Sequence, residues 1–510
     1  MIRSVRFAVA LALTSLAGCD LAPAYHPPKF VLPASYQGSG AWQVAHPRDH
    51  IPRGPWWQAY GNPTLNELEA KIPQNPDLLA EREIYIQSRD LAAEAESGLY
   101  PQVAGGYGMS ANRQSPYRLW RYSLSRAPLN EPSVQLDAQA TWEIDIWDRI
   151  GNRAHARKRL AQAEAAYLAQ VELSLQAELA NAYLTLRGLD QTINLYQQTI
   201  VYYQKALDIT LMRLTDKIGS ALDVARARAQ VSTTQALLHD IIAQRALALH
   251  AIANLIGVPA TGFELPSQDQ TPLLLPVVPV GLPSSLLERR PDIAAAERNM
   301  AAANAEIGVA RAAFYPNLSL NGAFSIVDAG FNVVSLPNRM WSIGTAIYQP
   351  IFEGGLLRAE LQFAHSSYRQ TRDNYRSVVL SAFQQVEDQL SLNDQLAKEV
   401  AADRLALQST TQAQTLSMQL YTSGATSYLE VIVAQIAAFQ ASISDITSTI
   451  RLQQASINLV RALGGGWSAG ELPTEKQTLP FNPLLPGKSS DGQVAAVADP
   501  GDWRSARPDP

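Results

Sequence analysis

Two hydrophobic periods share this chain, one of seven residues and one of two. Leu179, Leu186, Ile193, Ile200, Leu207 and Leu214 fall at strict sevens, with Leu168, Leu175, Ala182, Leu189, Tyr196 and Tyr203 in a matching second register. That is an a/d seam sustained well beyond a globular helix. A looser copy runs through Val379, Val386, Val400 and Leu407, with Asn393 at one core position, and no proline interrupts 153–257 or 357–463. Residues 153–216 therefore predict a helix of roughly 95 Å, and 77–99 and 220–256 predict helices of roughly 35 and 55 Å. Stacked end to end, the two shorter helices nearly match the long one. The same holds for 292–314 and 425–463 beside 357–422. Such lengths suit an elongated bundle or tube.

The period of two marks four strands. In "SVQLDAQATWEIDIW", Val134, Leu136, Ala138, Ala140, Trp142, Ile144 and Ile146 share one face, and Gln135, Asp137, Gln139, Thr141, Glu143 and Asp145 share the other. Leu318, Leu320, Phe324 and Ile326 alternate with Asn317, Ser319, Asn321 and Ser325. Trp341, Ile343, Ile347 and Ile351 align, as do Val103, Tyr107 and Met109. Each stretch is close to the ten or so residues a tilted strand needs to cross hydrocarbon. A half-buried soluble sheet alternates in the same way. Four strands are too few to close a barrel with any lumen, so a membrane reading requires several chains to share one barrel.

The pattern is written twice. Pro76-Asp77 and Tyr100-Pro101 recur as Pro291-Asp292 and Tyr315-Pro316 at an offset of 215. "IWDRIGNR" (146–153) pairs with "IFEGGLLR" (351–358) at 205, and "LDVARARAQ" from Leu222 pairs with "LEVIVAQ" from Leu429 at 207. The first repeat spans 56–260, with a strand pair in 101–147 and a helical hairpin tip at 214–224. A linker at 261–282 leads to the second repeat, 283–466, with strands in 316–352 and a tip at 420–431. The expected fold is mainly α with a β portion for the membrane: duplicated long helical hairpins plus four strands per chain.

The ends change the compartment. Residues 1–18 read as an export signal, with Arg3 and Arg6 ahead of an apolar run too short to span a bilayer. Leu16-Ala17-Gly18-Cys19 resembles a bacterial lipobox, which makes Cys19 the expected lipid attachment point. The alternative is an ordinary signal with an incidental cysteine. As the one cysteine among 510 residues, it has no disulfide partner in the chain. Asp20 directly after it resembles a signal that keeps enteric lipoproteins in the inner membrane. Segment 19–55 is proline-rich and expected to be extended, 467–510 is polar and expected to be disordered, and 112–126 is expected to be an extracellular loop. No run of eighteen or more apolar residues follows Cys19. Without the signal, net charge moves from −5 to −7, which argues against a nucleic-acid partner.

Catalytic chemistry is not written here. The seven histidines lack metal-ligand spacing, and neither a phosphate loop nor a dinucleotide fingerprint occurs. Neither an enzyme nor a cofactor is expected, beyond a covalent lipid on Cys19. Glu143, Asp145 and Asp148 alternate near a strand end; they are expected to be solvated acids facing a lumen, with a glycosidase-like carboxylate pair as the alternative.

"LLERRPDIAAAERNMAAANAEIGVARAAFYPNLSL" (286–320) resembles the TolC-like outer-membrane efflux factors, in their lipoprotein branch. "YQPIFEGGLLRAEL" (348–361), "AFQQVEDQL" (382–390), "YTSGATSYLEVIVAQ" (421–435), "WWQAYGNPTLNELEA" (56–70) and "SALDVARARAQ" (220–230) carry the same likeness. The resemblance implies a homotrimer whose copies share a twelve-stranded outer-membrane β-barrel and a periplasmic α-barrel. It implies export of drugs or small solutes delivered by an inner-membrane pump of the resistance-nodulation-division type and a periplasmic adaptor. Exit of secreted proteins in type I secretion, or a lipid-anchored coiled-coil spacer, are the competing readings. The resemblance also implies a gate at the hairpin tips. Tyr421 matches a tyrosine that links to an aspartate of the neighbouring hairpin, here Asp223. Glu430 matches a carboxylate that rings the pore when tripled by symmetry. Both acids equally suit the first turn of a helix. The tips carry Gly219 and Gly424, but Lys217 stands where the first turn usually has glycine. Thr426 replaces an arginine and Val433 a second carboxylate, which implies a single acidic ring.

Overall fold

The computed structural model describes residues 20–28, 55–113, 115, 130–267, 273–276, 286–328 and 336–481. The export signal, Cys19, most of the 112–126 loop and residues 482–510 of the C-terminal tail lie outside these residues. The start of that tail, 467–481, is ordered against the expectation, with Glu475 paired to Arg159 at 2.8 Å, Gln162 donating to the Pro473 carbonyl at 2.8 Å and Thr478 fully buried.

A short helix α1 (Pro63–Glu69) precedes α2 (Pro76–Ser97), strands β1 (Gln102–Arg113) and β2 (Asn130–Ile144), α3 (Arg149–Thr215) and α4 (Ala221–Leu255). The order then repeats: α5 (Pro291–Ala312), β3 (Asn317–Asp328), β4 (Arg339–Tyr348), α6 (Leu356–Thr422) and α7 (Tyr428–Ala462). The long helices α3 and α6 have 67 residues each, about 100 Å at the usual rise.

The end-to-end stacking expected from length is built by two polar joints. Asn75 caps α2 by accepting from the Asp77 and Leu78 amides, and its Nδ2 donates to the Leu255 carbonyl at the end of α4, 2.8 Å away. In the second repeat buried Arg290 donates from Nη1 to the Ala462 carbonyl at the end of α7 (2.9 Å), while Nη2 pairs with Asp292 at 2.6 Å. Each joint satisfies a helix-end carbonyl that would otherwise be orphaned. Two shorter helices thus act as one rod beside α3 or α6.

The seam is buried or half-buried along most of its length and opens at the tip, where Leu214 is 37% exposed. Leu179 and Leu186 are fully buried, Leu207 and Tyr203 nearly so, and Val379, Val386 and Val400 form the narrower stripe of α6. Asn393 turns its amide to its own helix, donating to the Gln389 carbonyl. Alanines of α5 fill the space beside α3, with Ala302 and Ala305 against Ala156. Small side chains let these helices approach closely. Helices α4 and α7 are long and apolar enough on composition to cross a membrane. Tight turns, however, tie them to α3 and α6, along which they pack.

The strands form one antiparallel sheet in the order β1-β2-β3-β4. Register carries the apolar face across it: Leu136 lies opposite Tyr107 and Ile326, and Phe324 opposite Trp341. The three acids at the end of β2 correct the expectation of solvated lumen carboxylates. Glu143 pairs with Arg149 at 2.8 Å, and Asp145 accepts the Arg149 and Gly151 amides at 2.7 Å, capping the start of α3. Asp148 takes a left-handed conformation (φ 54°) at the same corner. These acids lock the strand-to-helix joint, because four free N–H groups at a helix start attract carboxylates.

Residues 20–28 lie along α5. Asn152 donates to Asp20 (2.9 Å), Asn304 to the Pro23 carbonyl (2.7 Å), and the Tyr25 hydroxyl to Glu297 (2.6 Å). Asp20 therefore sits where α5 and α3 meet the strands.

Candidate functional site

The end of the bundle farthest from the sheet is formed by two turns, 216–220 and 423–427, built alike. In the first, the Ile218 amide donates to the Arg213 carbonyl and the Lys217 amide to Leu214 (3.0 and 3.1 Å). In the second, Ala425 donates to Leu420 and Gly424 to Tyr421 (2.8 and 3.0 Å). Both are Schellman closures, which need one residue in the left-handed region. Gly424 supplies it at φ 79°, and Lys217 supplies it at φ 61°. Lysine there preserves the turn at the expense of Cβ crowding. Gly219 is required for a different reason: a Cβ on it would lie 2.9 Å from the Arg213 carbonyl carbon and the Leu214 nitrogen.

The equivalence fixes what corresponds to what. Asp223 and Glu430 occupy the same place in the first turns of α4 and α7. Negative charge there is favoured by the exposed amides. Asp223 also faces Arg226, 3.8 Å away. Glu430 is exposed, and among the described residues no ion pair forms to it. Thr426 is half-buried within the second turn, while Lys217 and Gly424 are exposed at the extremity.

Tyr421 lies inside. It is 4% exposed and joins Tyr428, Tyr203, Val224, Val231 and Val431 in a small core made by both hairpins. Its ring stands 5.4 Å from that of Tyr428. Burial raises the Tyr421 pKa, with Arg213 opposing and the Asp223 charge adding to the rise. Tyr428 is pushed up to about 12, chiefly by burial and then by Tyr421 and Asp223. Asp223 is thus an electrostatic neighbour of Tyr421. The hydrogen bond that ties Tyr421 to the other hairpin, however, comes from Arg213, whose Nη1 donates to the Tyr421 carbonyl at 2.6 Å. The Arg213 guanidinium also lies over the Tyr421 ring, 4.6 Å from its centre.

Sequence reasoning missed Arg213 and Tyr428. A hint existed, since Arg213 corresponds to Leu420 under the offset of 207. A cation in the last turn of a long helix, where the other repeat has leucine, needed an explanation.

Residues 69–258 and 282–465 match the family model described as outer membrane efflux protein. The outer membrane protein OprJ of Pseudomonas aeruginosa is 30% identical over 472 residues, covering 91% of this chain and 96% of that protein. The pyoverdine export outer membrane protein OpmQ of the same organism is 31% identical over 420 residues, 81% of this chain and 88% of that one. The solved outer-membrane channel OprN superposes with a TM-score of 0.80 at 26% identity, over 88% of this chain and 100% of that chain.

Proposed function

Because the chain belongs to the outer membrane efflux protein family and is an outer-membrane exit duct of an efflux system, we propose that it works as a homotrimer. Three copies would close one twelve-stranded barrel from four strands each, continued by a helical tube into the periplasm. One observation carries this reading. Among the described residues the outer strands β1 and β4 each pair on one side only, and their apolar face is bare: Val103 is 76%, Ile343 84% and Ile347 74% exposed. Unpaired backbone in hydrocarbon costs several kcal/mol per group, and an open edge invites another strand. Joining β4 of one copy to β1 of the next satisfies both edges.

The cargo is a drug or small solute. It is delivered by an inner-membrane pump of the resistance-nodulation-division type through a periplasmic adaptor. The tips close the duct: Glu430 from three copies makes one acidic ring, and Tyr421, Asp223 and Thr426 line the junctions around it. Three like charges about one axis repel each other and favour cations. The purified protein in planar bilayers is expected to conduct with cation preference, and Glu430→Gln to reduce that preference. A chain that runs as a heat-modifiable trimer yet gives no conductance would refute the duct.

Cys19 carries the lipid. The docking of residues 20–28 along α5 supports this, because Asp20, its neighbour in the chain, is held at the strand end of the bundle. Asp20 is thereby engaged in the fold through Asn152. Cys19→Ala behind a cleavable signal is expected to lose palmitate labelling and still form an outer-membrane trimer. Retained label would refute the attachment point.

A further inference from the structure

Three features lie outside the roles already given: the cavity between the hairpins, the buried carboxylate of Glu69, and the tip contact of Arg213. The cavity, about 170 Å³ and lined by Arg187, Arg404 and Asp445 among others, holds mixed charges that select no ligand class. Glu69 is a buried acid with no hydrogen-bond donor to it among the described residues, and its consequence is a stability effect. The Arg213 contact reaches function.

We infer that Arg213 is the latch that holds the two hairpins of each copy together at the tip, gripping Tyr421 by its carbonyl and its ring at once. The geometry is specific. The Tyr421 carbonyl already accepts the Gly424 amide at 3.0 Å, so the Arg213 bond at 2.6 Å fills its second lone pair. That carbonyl lies at the negative end of α6, where a cation is favoured. The guanidinium face rests on the Tyr421 ring at 4.6 Å, and that ring is itself backed by Tyr428 at 5.4 Å. A planar cation can donate along its edge and stack through its face in one pose, which an ammonium cannot. The contact joins residues 208 apart in the chain, across the two hairpins that must separate if the tip is to widen.

This inference rests on the duct reading. Opening within a copy then requires Arg213 to leave Tyr421, and the residue acts by position, touching no cargo. It also reassigns the work of Tyr421. The ring and carbonyl do the holding, so the hydroxyl is dispensable.

Single-channel recording on the purified trimer tests the latch. Arg213→Ala is expected to raise open probability roughly tenfold, the scale of a lost charge-assisted hydrogen bond. Arg213→Lys restores part of the closed state, because it keeps a donor and loses the stacking plane. Tyr421→Phe keeps ring and carbonyl and stays within about twofold of the parent, since Phe also takes a cation on its face, whereas Tyr421→Leu opens the channel. The double variant Arg213→Ala/Tyr421→Leu opens no further than either single change, as two halves of one contact should. Trimer heat stability stays at the parent value throughout. A conducting parent with Arg213→Ala indistinguishable from it overturns the latch, as does Tyr421→Phe opening as fully as Tyr421→Leu. A silent parent overturns the duct reading instead.

Discussion

The two helical hairpins match to the residue and are used in opposite ways. Helices α3 and α6 each have 67 residues, α4 and α7 each have 35, and five residues join each pair. Yet α3 is packed on several sides, with Leu179, Tyr183, Leu184 and Leu186 wholly buried. Helix α6 packs on α5 and α7 and leaves Phe363 at 75%, Leu405 at 67% and Leu380 at 56% exposed. A duplicated backbone fixes length and turn geometry. Burial is decided by place in the bundle, because α5 of the second repeat packs on α3 of the first. Under the trimer reading these bare side chains lie where the neighbouring copy packs.

The sharpest way to break the likeness of the halves is at the rod joints, which do one job with different chemistry. Arg290→Ala removes a buried cation and strands the Ala462 carbonyl, Asp292 and Gln385 together. A loss of about 3 kcal/mol or more is expected, on the scale of a broken buried pair. Asn75→Ala removes a cap and one carbonyl bond and should cost about 1 kcal/mol. Urea unfolding followed by helical circular dichroism would order the two. Equal losses would show that the joints are not carried by these side chains.

A smaller asymmetry is titratable. Glu69 in the first repeat is 2% exposed, neither oxygen finds a hydrogen-bond partner among the described residues, and burial alone raises its pKa to about 9. The folded protein therefore keeps a proton that the unfolded chain, with an ordinary carboxylate pKa near 4.5, has released. Stability from this group is full below the unfolded value, falls as pH rises toward 9, and is flat beyond. Glu69→Gln should abolish that slope and raise stability at pH 8 by on the order of 2 kcal/mol, since relaxation spares the native state part of the full shift. A parent whose unfolding midpoint does not move between pH 5 and pH 8 would refute a neutral Glu69.

What the sequence made legible was whatever repeats at short range. Leu179 and Leu186 announce their seam by period, and Leu136 and Trp142 declare a face by alternation. Long-range polar contacts leave no such trace. Arg213 lies off the seam, and its partner is 208 residues away. Asn75 and Arg290 stand directly ahead of Pro76-Asp77 and Pro291-Asp292 in the two repeats, but an amide and a guanidinium doing the same work cannot be matched by type. Glu143 and Asp145 fit the polar face of a strand by pattern, while the fold uses them to pair and cap at the end of β2. Helix-end chemistry overrode alternation there.

The finest contrast is at the turns, where Lys217 stands opposite Gly424 and Gly219 opposite Thr426. Gly424 holds φ 79° with open space around the position of a Cβ, so Gly424→Ala meets no clash and suffers only the left-handed conformation. Lys217 already bears that strain at φ 61°. Removing it by Lys217→Gly should stabilise the first tip by about 1 kcal/mol, less what glycine regains in the unfolded chain. Gly424→Ala should destabilise the second by a similar amount. Hydrogen exchange of the Ile218 and Ala425 amides reads both turns directly, since each amide closes its Schellman loop. The expected result is slower exchange at Ile218 in Lys217→Gly and faster exchange at Ala425 in Gly424→Ala. If Lys217→Gly instead speeds exchange at Ile218, the lysine side chain contributes to the tip more than its backbone strain takes away, and the two turns are alike in geometry but not in what holds them.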